Sequence, residues 1–411
     1  MTFRFRIRRP VTTTVAATSC HHDEPGARVS HPSHVASADP RHATTALLQL
    51  ALVIVLTVMG RASWAQETVR IPSDPECRRC RIVLTHELTV GDNDGPGVLG
   101  MNAVFVRDQR SRFYAVNTFD PSSLVVFDST GRFLQTVGRE GDGPGEFRWI
   151  RGLIAVGPDS VLVFDGPGMR QVLLNTTYDP VRTTPLPVRL YPNGYLGLTA
   201  RTTLFNGIVS TPEAYGMPFH VVDRDGQVLR SFGQPSGTIS YRNSRELLDR
   251  PMALIDSTLY AAYHQAYKIE QWTLDGVLLR TFVRDAKWFA SYEGMRSLTR
   301  EEEPRPILGA LMKTSDGRLW ALSVVADEHW RTGLTQREGP EGSYVGVEKP
   351  EGVFDARIEL LDLQRHTVVA SERFDPVVSG FIDEAHVYAI RLASNGTARY
   401  DVYHLHLTTP P

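Results

Sequence analysis

The tetrapeptide Asp94-Gly95-Pro96-Gly97 returns 48 residues later as Asp142-Gly143-Pro144-Gly145, and each copy follows an apolar run and precedes a large apolar residue, Leu99 or Phe147. A fixed period of this size marks a repeat architecture, in which one supersecondary unit is copied and packed against its neighbours. The hairpins repeat as well. Gly131-Arg-Phe-Leu-Gln-Thr-Val-Gly138 matches Gly226-Gln-Val-Leu-Arg-Ser-Phe-Gly233, and the run from Gly276 to Val283 is a third copy. Glycine holds the turn because tight hairpins demand a positive φ, which it adopts without steric cost.

Between these turns, short runs rich in Val, Leu, Phe and Tyr alternate with Gly, Pro, Asp and Asn clusters, the chemistry of strands and turns. A second column identifies six units, each an apolar run closed by a mostly polar residue: Asn117, Asp165, Asn206, Tyr263, Ser323 and Arg391. Its spacing widens from 48 and 41 residues to 57, 60 and 68, so the later units carry insertions. Six units of four strands predict an all-β, six-bladed β-propeller over residues 81–411. The last unit has room for three strands only. Arg81–Val90 stands before its turn as an outermost strand does, so this N-terminal strand is expected to complete the last blade and close the ring.

The first 65 residues lie outside this repeat. An apolar run, Ala46–Met59, is too short to span a bilayer and fits the core of a signal peptide cleaved near 65/66, with Ser63 and Ala65 as the small residues before Gln66. Retention as a membrane anchor is the alternative, and the long leader before the run leaves the true start open. Either way the chain is expected to be exported, to the periplasm or beyond. Removing this segment leaves 37 basic and 43 acidic residues and a formal charge of −6, with no basic stripe of the kind nucleic acid requires. Residues 66–80 read as a linker containing Cys77-x-x-Cys80. In an oxidising compartment this pair predicts a small local disulfide, since zinc would need two further ligands nearby.

The run Phe113–Asn175, with Val125-Val-Phe-Asp128, Gly138-Arg-Glu-Gly-Asp-Gly-Pro-Gly-Glu-Phe147 and Leu153-Ile-Ala-Val156, resembles NHL-type repeats. The whole chain is similar to bacterial exported six-bladed propellers of TolB-like architecture. The second unit departs from the pattern, with Tyr178-Asp179-Pro180 where a turn glycine is expected.

The polar column is the first candidate site, because equivalent strand ends in a ring are expected to converge on a central channel. Propeller hydrolases and lyases of the lactonase or peptidylglycolate type resemble this layout and grip a divalent ion there. One carboxylate, two amides, a phenol, a hydroxyl and a guanidinium make a poor cage for Ca²⁺, however, and the competing structural reading has these side chains hydrogen-bonding turn backbone. No Gly-Lys-Ser or Gly-Lys-Thr phosphate loop, nucleophile elbow or paired-histidine zinc helix occurs, so no catalytic residue or cofactor is assigned.

Two long insertions, Lys287–Pro306 and Ala326–Asp355, supply the second candidate. Loops leaving the second and fourth strands of a meander emerge at one end, so both insertions, both Asp-Gly-Pro-Gly crossovers and the polar column are expected on one face. Trp288, Tyr292, Trp330 and Tyr344 are its candidate contact residues. The expectation is a monomeric, non-enzymatic binding or scaffold propeller recognising a protein, peptide or glycan, with the metal-dependent enzyme as alternative.

Overall fold

Runs such as Phe113–Val116 and Leu124–Phe127 are apolar at every position and buried at every position, because each blade is covered on both faces by its neighbours. The structure, a computed structural model, describes residues 67–409 apart from 102–103, 159, 236–238, 240–243, 295–297, 340–341 and 348. The export segment and its cleavage point lie outside the described residues.

Six antiparallel sheets follow one another along the chain. Blade one comprises Phe105–Arg107, Phe113–Val116, Leu124–Phe127 and Phe133–Val137, and blade two Ile150–Val156, Ser160–Asp165, Arg170–Leu174 and Pro180–Pro185. Blade three runs through Arg189–Thr199, Thr202–Ile208, Phe219–Asp223 and Val228–Phe232, and blade four through Met252–Ile255, Thr258–Ala262, Lys268–Thr273 and Leu278–Arg284. Blade five is Ile307–Lys313, Leu319–Ala326, Phe354–Asp362 and Thr367–Phe374. Blade six has Val378–Asp383, His386–Leu392 and Ala398–Thr408, and its outermost strand is Arg81–Val90, paired antiparallel with Ala398–Thr408. The first strands touch from blade to blade, and the circuit closes between the sixth and the first. First strands therefore surround the axis. The chain is a six-bladed propeller closed by its N-terminal strand.

The segment expected to be a linker is instead a belt around the outside of three blades. Glu67–Ile71 adds to blade four as a fifth strand, parallel to Leu278–Arg284, and turns Val69 and Ile71 into the core. Beyond it, the amides of Glu76 and Cys77 donate to Val368 and Val369 on the outer strand of blade five. Cys77 and Cys80 form a disulfide packed against the core of blades five and six. Arg81–Val90 then completes blade six. Each step covers a sheet edge that would otherwise present unpaired backbone.

The turn glycines Gly131, Gly226 and Gly276 have φ of 83°, 82° and 85°. Tyr178 takes the same left-handed conformation, at 66°, where a glycine is expected. A side chain there costs about 1–2 kcal/mol. Compensating contacts come from blade one: Arg112 donates to the Tyr178 hydroxyl at 2.9 Å and lies over its ring, and Tyr114 packs edge-on.

Candidate functional site

The polar column does not line the axis. Its residues close second strands, one strand out from the channel, and among the described residues no hydrogen bond or ion pair joins any two of them. Asp165 is fully buried and accepts four N–H groups: the amides of Arg148 and Trp149 at 3.1 Å each, Gly168 at 3.2 Å and Arg170 Nε at 3.1 Å. It clasps the crossover that leads into its own blade. Asn117 does the same, accepting from Gly100 and Phe119 and donating to the carbonyl of Val98. Asn206 donates to the carbonyls of Pro218 and Leu248 and accepts from the amide of Arg250, clasping the crossover that leaves its blade.

The other three differ. Tyr263 donates to Glu270 at 2.8 Å beneath the stacked guanidinium of Arg250, and burial raises its phenol. Ser323 is buried between the first and third strands of blade five, paired with Leu308 and Arg357. Arg391 forms a two-point ion pair with Asp401 on the neighbouring strand. Since the lone pairs of Asp165, the only carboxylate in the column, are all engaged, this donor set does not fit a divalent cation. Among the described residues, no group of three or more His, Cys, Asp or Glu side chains is placed to hold one.

The loops present a more developed surface. All six blades are antiparallel meanders, so crossovers and second-to-third connections emerge at one end. Within the second insertion, Leu334–Gly339 and Gly342–Val347 form a hairpin over a small core of Ala326, Trp330, Leu334 and Val353. Trp330, a candidate contact residue, is thus the anchor of this core, only 4% exposed. Arg331 reaches the other insertion, donating to the carbonyls of Arg300 and Glu301. The two insertions meet in an open groove of about 560 Å³ lined by Leu298–Glu301, Gln336 and Ser343–Val345. Tyr344 stands in this groove, 42% exposed. Trp288 is half-buried against the core of blades four and five, with Arg357 over its ring, and Tyr292 lies under Arg305.

Exposed apolar side chains concentrate here too. Of thirteen large ones among the described residues, six belong to the fourth strands of the blades or the turns before them. The other seven lie on the loop face: Met101 and Phe119 in blade one, Trp149 and Met169 in blade two, Tyr215 in three, Tyr344 in five and Leu392 in six. Four arginines accompany them at the upper ends of innermost strands. Arg151 and Arg189 are the second and first residues of theirs, while Arg250 and Arg305 stand two residues ahead, each followed by proline. Arg151 lies 4.2 Å over the ring of Trp149 and Arg250 lies 3.9 Å over Tyr263. None of the four belongs to the sequence-predicted site, although the recurrence of Arg before successive first strands is legible once blade boundaries are known.

Residues 102–193 match a family model described as a 6-bladed beta-propeller. No curated protein matches the chain. Among solved structures it is similar to a member of the DUF4221 family from Bacteroides vulgatus, with a TM-score of 0.57 and 10% identity over 81% of this chain and 100% of that one. A Bacteroides fragilis protein described as exported aligns with a TM-score of 0.53 and 11% identity over 83% and 100% of the two chains. A virginiamycin B lyase from Staphylococcus aureus aligns at a TM-score of 0.38 and 11% identity over 80% and 100%, a distance at which likeness carries no chemistry. What these comparisons share with the ring described above is the architecture: the chain is a six-bladed β-propeller similar in fold to propellers of Bacteroides.

Proposed function

We propose that the protein is an exported, non-enzymatic binding propeller that takes its ligand on the loop-bearing face. Export rests on the apolar run Ala46–Met59 and on the likeness to a protein described as exported. The finer kinship with NHL-type and TolB-like propellers belongs to this proposal and rests on the motifs between Phe113 and Asn175. The observation that carries the binding role is the junction of the two insertions, where Arg331 ties a hairpin with its own hydrophobic core to the backbone of residues 300–301. An insertion that folds, is braced by a second insertion and still exposes Tyr344 has the form of a binding loop on a rigid scaffold. The ring beneath supplies that rigidity.

Replacing residues 335–346 with a short Gly-Ser turn should abolish capture of a partner from envelope extract while leaving the melting temperature within a few degrees. Undiminished capture by the shortened protein would refute the assignment of the face.

A further inference from the structure

Building on the reading of this face as a binding surface, we propose that its ligand is an acidic glycan. Its carboxylates are taken by the arginines at the mouth of the ring, and its sugar rings stack on the neighbouring exposed aromatic side chains. Arg151, Arg189, Arg250 and Arg305 come from four successive blades, two to five, so they form a crescent around one side of the axis. Among the described residues, no carboxylate lies within ion-pairing distance of any of the four. Several arginines elsewhere on the same face are matched: Arg139 pairs with Glu146, Arg148 with Asp142, Arg373 with Asp355 and Arg391 with Asp401. What distinguishes the mouth is that a guanidinium without a carboxylate partner recurs there in four successive blades. With a net charge of −6 from residue 66 onward, attraction of a polyanion to the protein as a whole is not expected.

Arg250 is a separate indication. It is 2% exposed, and one of its terminal nitrogens has no acceptor. An unmade buried donor is unfavourable, and an acceptor oxygen brought to it would relieve that cost. The stacking of Arg151 on Trp149 also matters. A guanidinium lying flat on a ring keeps its N–H edge clear, and that edge matches the two oxygens of a carboxylate.

The aromatic side chains favour a glycan over an acidic peptide. Trp149, in contact with Arg151, and Phe119 of blade one are 41% and 46% exposed on the same face. Rigid rings of this kind offer area to the C–H faces of a pyranose at little entropic cost, whereas a flexible acidic peptide gains chiefly from the charges.

The test is calorimetric titration of the intact protein with oligogalacturonate, with neutral maltooligosaccharide of equal length and with poly-glutamate of equal charge. The proposal expects oligogalacturonate to bind, to weaken as salt is raised and to lose about tenfold in affinity when Arg151→Gln and Arg305→Gln are combined. Both side chains are exposed, so the melting temperature should hold. Trp149→Ala should weaken binding at high salt as well. No binding of oligogalacturonate, unchanged binding by the double variant, or equal or tighter binding of poly-glutamate would each overturn it, the last assigning the mouth to an acidic peptide. If partner capture still depends on residues 335–346 while oligogalacturonate fails, only the ligand class falls.

Discussion

Arg284, the last residue of the fourth strand of blade four, meets Glu359 of the fifth blade at 3.1 Å, and the two side chains are 2% and 1% exposed. The same guanidinium donates to the carbonyls of Pro72 and Ser73, and Glu359 also accepts the Tyr267 hydroxyl at 2.7 Å. Burial, followed by the adjacent carboxylate, pushes the Tyr267 phenol well above its ordinary value, so it remains a donor. One ion pair thus joins two blades and the belt.

Removing either charge leaves the other buried and unmatched. Glu359→Gln should lower stability by about 3 kcal/mol or more in denaturant titration, while Arg284→Met combined with Glu359→Leu should lose less than Glu359→Gln alone. A single-variant loss below about 1 kcal/mol would mean that the pair is hydrated in solution.

The belt and the closing strand should separate in calorimetry. Deleting residues 66–80 removes the buried side chains of Val69 and Ile71 together with the disulfide, and should lower the melting temperature by about 5 °C with cooperativity retained. Extending the deletion through Val90 opens the last blade and should eliminate the single cooperative transition. Equal melting of the intact and the longer-deleted protein would contradict closure by Arg81–Val90.

His220 is fully buried between Ser231 Oγ at 2.8 Å and the carbonyl of Gly207, and burial lowers its pKa to about 4. The unfolded chain binds a proton near pH 6.5, above the folded value. Stability from the neutral ring is therefore complete above pH 6.5 and lost as the pH falls toward 4, by up to about 3 kcal/mol. His220→Asn should flatten the stability profile in that window, and a slope unchanged by the substitution would place the acid sensitivity elsewhere.

Asp165→Ala orphans four N–H donors, two ahead of the first strand of blade two and two at its second-to-third connection, and should destabilise the fold by about 2–4 kcal/mol. Ligand binding at the loop face should survive at temperatures where the variant is folded. Loss of binding without loss of stability would return Asp165 to the ligand.

The Asp-Gly-Pro-Gly period and the hairpin glycines marked a repeat, the strand column ending at Asn117 to Arg391 counted six blades, and the unpaired start at Arg81 indicated their closure. Each is a local or periodic property: a turn needs its positive φ, a doubly covered strand needs apolar residues throughout, and a missing strand leaves a gap in a count. Even the exception at Tyr178 shows the rule, since the left-handed turn persists and Arg112 and Tyr114 support the misfit side chain. Side-chain roles were not legible in the same way. Asp165 looked like a channel ligand until the crossover amides filled its lone pairs, and Trp330 looked like a contact residue until Val353 and Leu334 covered it. The belt at Glu67–Ile71, the Arg284–Glu359 pair and the crescent of arginines all depend on residues tens to hundreds of positions apart. Sequence can propose a donor or a charge, but which group satisfies it is decided only when the ring closes and brings distant strands to hydrogen-bonding distance.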